Sequence, residues 1–315
     1  MTDILTITLN PALDVSTSVD HVVPGPKLRC EPPRYDPGGG GVNVSRAISR
    51  LGGQSKAFVA LGGDTGSTFK AMLESEAIDV VALAVAGNTR QSFAVLEETS
   101  RKQYRFQLPS PPWPSEQTTA LLAEIGSHLA AHGIIVLSGS VPPGVPAHIA
   151  STINRTAVKN GAQLILDTSG AALEAAAVNS GPPFALLRMD GAEATDVSGR
   201  TFATPAELAG YGLELVRAGV AERLVMSMGS KGTVGVSANE RFFCQPPKIE
   251  TLSAIGAGDS MVAAIALELS RGGSFRDAVR HGVAAAGSAV LTPATELCSK
   301  ETAAAFLEKV VTSEI

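Results

Sequence analysis

The stretch Ser253-Ala254-Ile255-Gly256-Ala257-Gly258-Asp259-Ser260 puts three small residues and one carboxylate where a loop runs into an apolar helix. Gly256, Ala257 and Gly258 let bare backbone approach a ligand. The first amides of the helix behind them have no acceptors within the helix, so the junction favours an anion such as phosphate. Asp259 cannot ligate that phosphate, because two anions repel. It can instead take a proton from a hydroxyl that attacks the phosphate. The alternative is a glycine-rich turn in which Asp259 merely caps the helix.

Such a base must be held by a larger framework, and the chain alternates strand and helix patterns. Residues 4 to 9 alternate as a strand does, and Pro11 ends the run, which places the Asp14 carboxylate at a strand-to-loop junction. Residues 15 to 35 are polar and β-prone, with Pro24, Pro26, Pro32 and Pro33, and read as short exposed strands. Lys27 and Arg29 share one face there if the segment is extended. Gly38 to Gly41 and Asn43 then enter a helix marked by Val44, Ala47, Ile48 and Leu51, a pattern suited to close ligand approach rather than to a linker. Lys56 to Leu61 reads as a strand and Phe69 to Leu73 as part of a helix.

Two alternating runs, Gln91 to Glu97 and Gln103 to Leu108, are joined by the polar residues 98 to 102 and predict a hairpin. With residues 15 to 35 they form a small second sheet that carries Lys27, Arg29, Arg90 and Arg105. Taken singly, each of these cations is an ordinary solvated charge; their shared location suggests a lid that grips an anion. Beyond Ser115 the alternation resumes, with strands at 134–137, 163–166, 184–187 and 224–226 and two short ones within 233–245. Thr204-Pro205-Ala206-Glu207 is a capping box that opens a helix to about Ala218. Helices are expected at about 258–271, 275–291 and 300–311. The pattern predicts an α/β fold with a mostly parallel sheet, whose ligand groups collect in a crevice beyond the strand ends.

Composition narrows the chemistry. The 315 residues, 44% of them apolar, can bury a substantial core. Three cysteines without a CxxC pair indicate neither a disulfide framework nor a zinc site. A net charge of −5 without basic blocks argues against a nucleic-acid partner. The start lacks a basic leader and no apolar run reaches spanning length, so no membrane partner is expected and the cytoplasm is the expected compartment. Neither a Walker A pattern nor GxGxxG occurs; Gly229-Ser230-Lys231-Gly232 lacks both the earlier glycine and the Ser or Thr after lysine.

Asp14, the Gly38-to-Asn43 run, the paired arginines and the Gly256-to-Asp259 box, in that order, resemble the ribokinase/PfkB family of sugar kinases, within it the branch of 6-phosphofructokinase isozyme 2 and tagatose-6-phosphate kinase. Lys27-Leu-Arg-Cys30, Pro37-Gly-Gly-Gly-Gly-Val-Asn43, Thr89-Arg-Gln91, Gln103-Tyr-Arg-Phe106, Ser138-Gly-Ser-Val-Pro-Pro-Gly144 and Gly256-Ala-Gly-Asp-Ser-Met-Val262 carry the likeness over essentially the whole chain. The resemblance implies a ribokinase-like three-layer sandwich as one domain, 1–315, with a lid from 15–35 and 88–108 that also clasps a homodimer.

It implies Asp259 as the base and Gly256, Ala257 and Gly258 as the anion hole. Asp14, Gly39, Gly40 and Asn43 would bind the sugar, with Lys27, Arg29, Arg90, Arg105 and Ser140 around a phosphate already on it. Ser227, Gly229, Gly232 and Arg188 would meet the nucleotide. Expected reactants are ATP and a phosphosugar. Fructose 6-phosphate leads, with tagatose 6-phosphate and fructose 1-phosphate as competitors and a sugar-phosphate-binding homologue of weak turnover as the alternative. Where the family has Lys-Pro-Asn-x-x-Glu, this chain has Arg188-Met189-Asp190-Gly-Ala-Glu193, so Asp190 and Glu193 would manage Mg2+. Ala254 replaces a usual Thr, and Thr292 to Glu296 replaces an Asn-x-Gly-x-Arg pattern beside the adenine, where backbone carbonyls remain able to bind K+.

Overall fold

A computed structural model describes residues 3–128, 133–292 and 296–315. In chain order the strands are β1 (Ile4–Thr8), β2 (Ala12–Val19), β3 (Arg34–Gly38), β4 (Lys56–Leu61), β5 (Asp79–Ala84), β6 (Arg90–Glu97) and β7 (Gln103–Gln107). They continue as β8 (Ile134–Ser138), β9 (Gln163–Asp167), β10 (Leu186–Asp190), β11 (Arg223–Ser227), β12 (Thr233–Ser237), β13 (Arg241–Gln245) and β14 (Val311–Glu314). The helices are α1 (Gly40–Arg50), α2 (Gly63–Ser75), α3 (Ser115–His128), α4 (Ile149–Lys159), α5 (Ala171–Ala177) and α6 (Gly191–Ser198). The last four are α7 (Pro205–Arg217), α8 (Ala257–Ser270), α9 (Phe275–Ala289) and α10 (Lys300–Leu307).

Ten strands form one sheet in the order β14-β13-β12-β11-β10-β9-β8-β1-β4-β5, parallel from β11 to β5 and antiparallel through β12, β13 and β14. Its central strands are buried on both faces, which is why they are apolar at successive positions rather than alternate ones. Leu5, Ile7, Ile135, Leu137, Leu164, Leu166, Leu187 and Met226 point to one side, against α3, α4, α5 and α7. Ile4, Ile134, Val136, Ile165, Leu186 and Val225 point to the other, against α1, α8, α9 and α10. The result is the three-layer ribokinase-like arrangement. The capping box opening α7 is present, with Thr204 accepting from the Glu207 amide and Glu207 reaching back.

The small sheet, β3-β2-β6-β7, stands apart. Cross-strand neighbours share a face, and the register Asp36 to Asp14 to Ser92, with Ala94 opposite Arg105, gathers Asp36, Asp14, Arg90, Ser92 and Arg105 on one side. The opposite side carries the row Tyr35, Val15, Phe93 and Phe106.

Several expectations need correction. Asp14 lies inside β2 rather than at the end of β1, because Pro11 interrupts the chain for only three residues before it pairs again. Of residues 15–35, only the two ends are strand; residues 20–33, with four prolines, form a connection tied at its base by Thr17 Oγ1 donating to the Glu31 carbonyl at 2.6 Å. The strand expected at 184–187 runs Leu186–Asp190, so Arg188 and Asp190 belong to the strand itself. β5 was not anticipated. The final helix stops at Leu307, and the chain returns as β14 beside β13.

Candidate active site

Asp259 is the third residue of α8, whose N-terminal cap is Gly256 in a left-handed conformation (φ 76°) that a side chain would strain. Its carboxylate caps nothing. Instead, Asp259 Oδ2 accepts from Asn43 Nδ2 at 2.9 Å, which ties α8 to the glycine-rich start of α1 across 216 residues of sequence. Desolvation pushes the Asp259 carboxyl up to about 7; the nearby negative charge of Asp167 adds to the rise, and the Asn43 bond and Arg188 oppose it. Gly39, at the turn into α1, has φ 129° and leaves no room for a side chain against Thr8 and Pro11. Gly40 lies against Ser138 and Gly139.

Of the three amides proposed for the anion hole, Ala257 N donates to the Ala254 carbonyl at 3.4 Å, a long local bond. No partner within the described residues takes the Gly256 and Gly258 amides. Arg188 lies alongside: a Cβ on Gly258 would come within 3.2 Å of its guanidinium. Arg188 Nη1 pairs with Asp167 Oδ1 at 3.2 Å and approaches Glu193 Oε2 at 3.9 Å. Burial works against the charge of Arg188, yet Asp167, Glu193 and Asp190 outweigh it and hold the group above its ordinary value. Asp167, the last residue of β9, also accepts from Ser138 Oγ at 3.1 Å, so it braces the Ser138–Ser140 loop as well.

Asp190 and Glu193 form a reciprocal cap on α6. Asp190 Oδ1 accepts from the amides of Ala192 and Glu193, both at 2.9 Å, and Glu193 Oε2 accepts from the Asp190 amide at 2.7 Å. One oxygen of each carboxylate is thereby used and the other has no partner among the described residues. No group of three or more acidic, His or Cys side chains that could hold a metal occurs among the described residues. Two hard oxygens without a closed cage fit Mg2+, which keeps waters and substrate phosphates as ligands. Ser227, buried at the end of β11, is the register partner of Asp190, and the turn Gly229 (φ 58°) to Gly232 (φ 138°) follows it. The nucleotide candidates Ser227, Gly229, Gly232 and Arg188 therefore sit on adjacent strand ends. Of the proposed adenine border, residues 293–295 lie outside the described residues; Thr292 and Glu296 flank them, and Glu296 pairs with Arg34 of β3 at 3.3 Å.

On the small sheet, Ser92 Oγ donates to Asp14 Oδ1. Burial raises the Asp14 carboxyl, the Ser92 bond lowers it, Asp36 raises it, and Arg90 and Arg105 lower it. Arg90 is itself lowered by desolvation, with Asp14 opposing. Arg90, Arg105 and Asp14 are thus one electrostatic group. Ser140 is exposed in the loop after β8 and bonded to Asn10. Lys27 and Arg29 are not brought in: both are exposed in the 20–33 connection, with no bonded partner among the described residues. Their shared face depended on an extended strand that does not form there. Sequence reading missed Ser92, Asp167 and Asn10. An Asn-Pro pair directly after a strand was the only available signal for the last, and nothing local marked the other two.

A separate cavity of about 730 Å³, lined by Asp3, Ser45, Ser55, Lys56, Asp79 and His128 among others, opens at the opposite ends of β1, β4 and β8. It has no base beside a helix N-terminus, and we assign the chemistry to the Asp259 crevice.

A carboxylate with proton affinity near neutrality in the first turn of a helix, on a three-layer α/β frame with a small second sheet that carries two arginines, is the arrangement of a sugar kinase of ribokinase-like fold. The chain belongs to the pfkB family of carbohydrate kinases, whose pattern matches residues 7–303. It is 41% identical over 307 residues to the ATP-dependent 6-phosphofructokinase isozyme 2 of Mycobacterium tuberculosis, covering 97% of this chain and 89% of that one. It is 36% identical over 301 residues to the Escherichia coli enzyme of the same name, covering 96% of each. Crystal structures of Escherichia coli phosphofructokinase-2 superpose with TM-scores of 0.92, in complex with potassium, and 0.90, in complex with fructose-6-phosphate. Both are 35% identical and cover 98% of this chain and 99% of theirs. A 1-phosphofructokinase of Xanthomonas campestris is 31% identical over 267 residues, covering 84% of this chain and 83% of that one.

Proposed function

We propose that this protein transfers the terminal phosphoryl group of ATP to the C1 hydroxyl of fructose 6-phosphate, giving fructose 1,6-bisphosphate and ADP. One observation carries the reading: Asp259, raised to about 7 and held by Asn43, lies on a helix N-terminus, and one face of the small sheet presents Arg90 and Arg105 beside Asp14. A neutral sugar has no use for that pair of cations, whereas a phosphate already on the substrate gains charge-assisted bonds from them.

Asn43 aims the Asp259 carboxylate, which takes the proton from the C1 hydroxyl as the oxygen attacks phosphorus. The Gly256 and Gly258 amides, with Arg188 beside them, stabilise charge on the transferring group; a preorganised donor of this kind contributes about 3 kcal/mol. Asp14, fixed by Ser92, with Gly39, Gly40 and Asn43, orients the sugar, and Arg90, Arg105 and Ser140 hold its phosphate. Ser227, Gly229 and Gly232 receive the nucleotide. Asp190 and Glu193 would hold Mg2+ through water, and the ion would neutralise the triphosphate. Backbone carbonyls around Thr292 to Glu296 would take K+.

Residues 1–315 act as a single kinase domain with the lid 15–35 and 88–108. We assign it to the cytoplasm; no described helix is long and apolar enough to cross a membrane. The outer lid face supports a homodimer, since Tyr35 (48% exposed) and Phe106 (55%) end an apolar row across all four strands. Lys27 and Arg29, exposed in the 20–33 connection, would join the phosphate site only if that connection reorders on binding.

Fructose 1-phosphate as acceptor is the second reading, supported by the 31% identity to a 1-phosphofructokinase. Coupled ADP release measured with fructose 6-phosphate, tagatose 6-phosphate and fructose 1-phosphate decides between them. Binding of a phosphosugar without ADP release from any of them would overturn catalysis and leave a binding protein.

A further inference from the structure

Asn10 lies between β1 and β2, so within four residues its chain leaves the large sheet and enters the small one. Its polar groups reach three distant pieces of the protein. The side-chain nitrogen Nδ2 donates to Ser140 Oγ at 3.0 Å, in the loop after β8. Ser110 Oγ, beyond the end of β7, donates to Asn10 Oδ1. The backbone carbonyl accepts from Arg90 Nη2 at 3.5 Å, at the start of β6.

The direction of these bonds matters. A hydroxyl has one proton to give, and Ser140 accepts from Asn10, so its proton stays free for an incoming anion. Arg90 Nε is likewise buried without a partner among the described residues, a state that costs free energy until an acceptor arrives. One residue thus meets a hydroxyl through its side-chain amide and a guanidinium through its backbone carbonyl, both with donors unspent.

Resting on the phosphate grip proposed above, we propose that Asn10 is a positioning residue for it: its side-chain amide turns the Ser140 hydroxyl toward the phosphate of the sugar, beside the Arg90 guanidinium that its backbone carbonyl meets. An amide is required at this place. A carboxylate of the same shape would accept the Ser140 proton and put a negative charge beside the anion.

Asn10→Asp is the test, because Ser110 can still donate to the remaining oxygen and the local shape is kept. The KM for fructose 6-phosphate should rise about 10- to 100-fold, the worth of one charge-assisted bond, while the KM for ATP stays within about twofold. Asn10→Ala, paired with Ser140→Ala in a double-mutant cycle, reads the same role without added charge: the combined loss should be smaller than the product of the two. Losses that simply multiply, or KM values for sugar and ATP that rise together, overturn the assignment. Arg90→Ala separates the two levels. If it leaves the phosphosugar KM unchanged, the grip itself is wrong; if it raises that KM and Asn10→Asp does not, the grip stands and Asn10 has no part in it.

Discussion

Replacing Asp259 by Asn should remove turnover and at the same time make the folded protein more stable. The amide keeps the acceptor for Asn43 Nδ2, so the 2.9 Å tie between α1 and α8 is preserved in geometry. What disappears is a carboxylate that desolvation and Asp167 raise from 3.8 to about 7. The sign follows from proton linkage. A carboxyl whose folded value lies above its unfolded value binds more protons when folded, so wild-type stability falls as pH rises between those two values and the full cost is present above about 7. At about 1.4 kcal/mol per pH unit, that interval caps the gain from removing the charge at about 4 kcal/mol. For a chain of this length each kcal/mol is worth roughly 2 °C, so Asp259→Asn should unfold several degrees higher than wild type at pH 8 and at about the same temperature near pH 4. Loss of a general base should lower kcat by about 10²- to 10⁴-fold, and the wild-type rate itself should fall on the acid side of about pH 7, where the base is protonated. Thermal unfolding at both pH values and coupled ADP release measure the two effects. Turnover like wild type, or a stability gain over wild type no larger at pH 8 than at pH 4, refutes the reasoning.

Arg90→Ala should raise the phosphosugar KM about 10- to 100-fold, as expected for a half-buried charge-assisted bond, and exposed Arg105→Ala by less, about 3- to 10-fold; initial rates against each substrate check this, and an equal rise in the KM for ATP contradicts it. Asp190→Asn keeps the cap on α6, since an amide oxygen also accepts from the Ala192 and Glu193 amides, but removes a charge. The Mg2+ concentration for half-maximal rate should rise about 3- to 10-fold with the unfolding temperature nearly unchanged, and an unaltered Mg2+ dependence argues against a metal role for this residue. Phe106→Asp on the outer lid face should shift the protein from dimer to monomer at micromolar concentration, read by sedimentation; an unchanged mass rules out the proposed clasp.

The residues legible in the sequence are those whose role is written into their immediate neighbours. Gly256 to Asp259 announce themselves because small residues before an apolar helix have few other uses, and the α7 cap is complete within Thr204 to Glu207. Residues whose place depends on distant pairing were misread. Asp14 is in a strand because its register partner is Ser92, 78 positions away, and nothing between Pro11 and Val19 reveals that partner. β14 has four residues and exists because it pairs with β13 and because Arg276 binds Glu314 at 2.5 Å. Lys27 and Arg29 were grouped with the lid cations on the assumption of an extended segment; four prolines in residues 20–33 cost the ladder its donors, and the pair stays in solvent.

Arg188 links both halves of the crevice in a way that no single motif expresses. Its positive charge lowers the proton affinity of Asp259, and its partner Asp167 raises it. Because Arg188 and Asp167 are bonded to each other, neither field acts alone, and the base is left near neutrality mainly by its desolvation. A lysine at this position carries the charge but not the planar fork that meets Asp167 while lying beside Gly258. The added charge of Asp190 falls on the same guanidinium. Arg188 and Asp190 therefore serve each other within one strand end: the planar fork holds Asp167, and the charge of Asp190 adds to that of Asp167 and Glu193 in keeping the guanidinium charged.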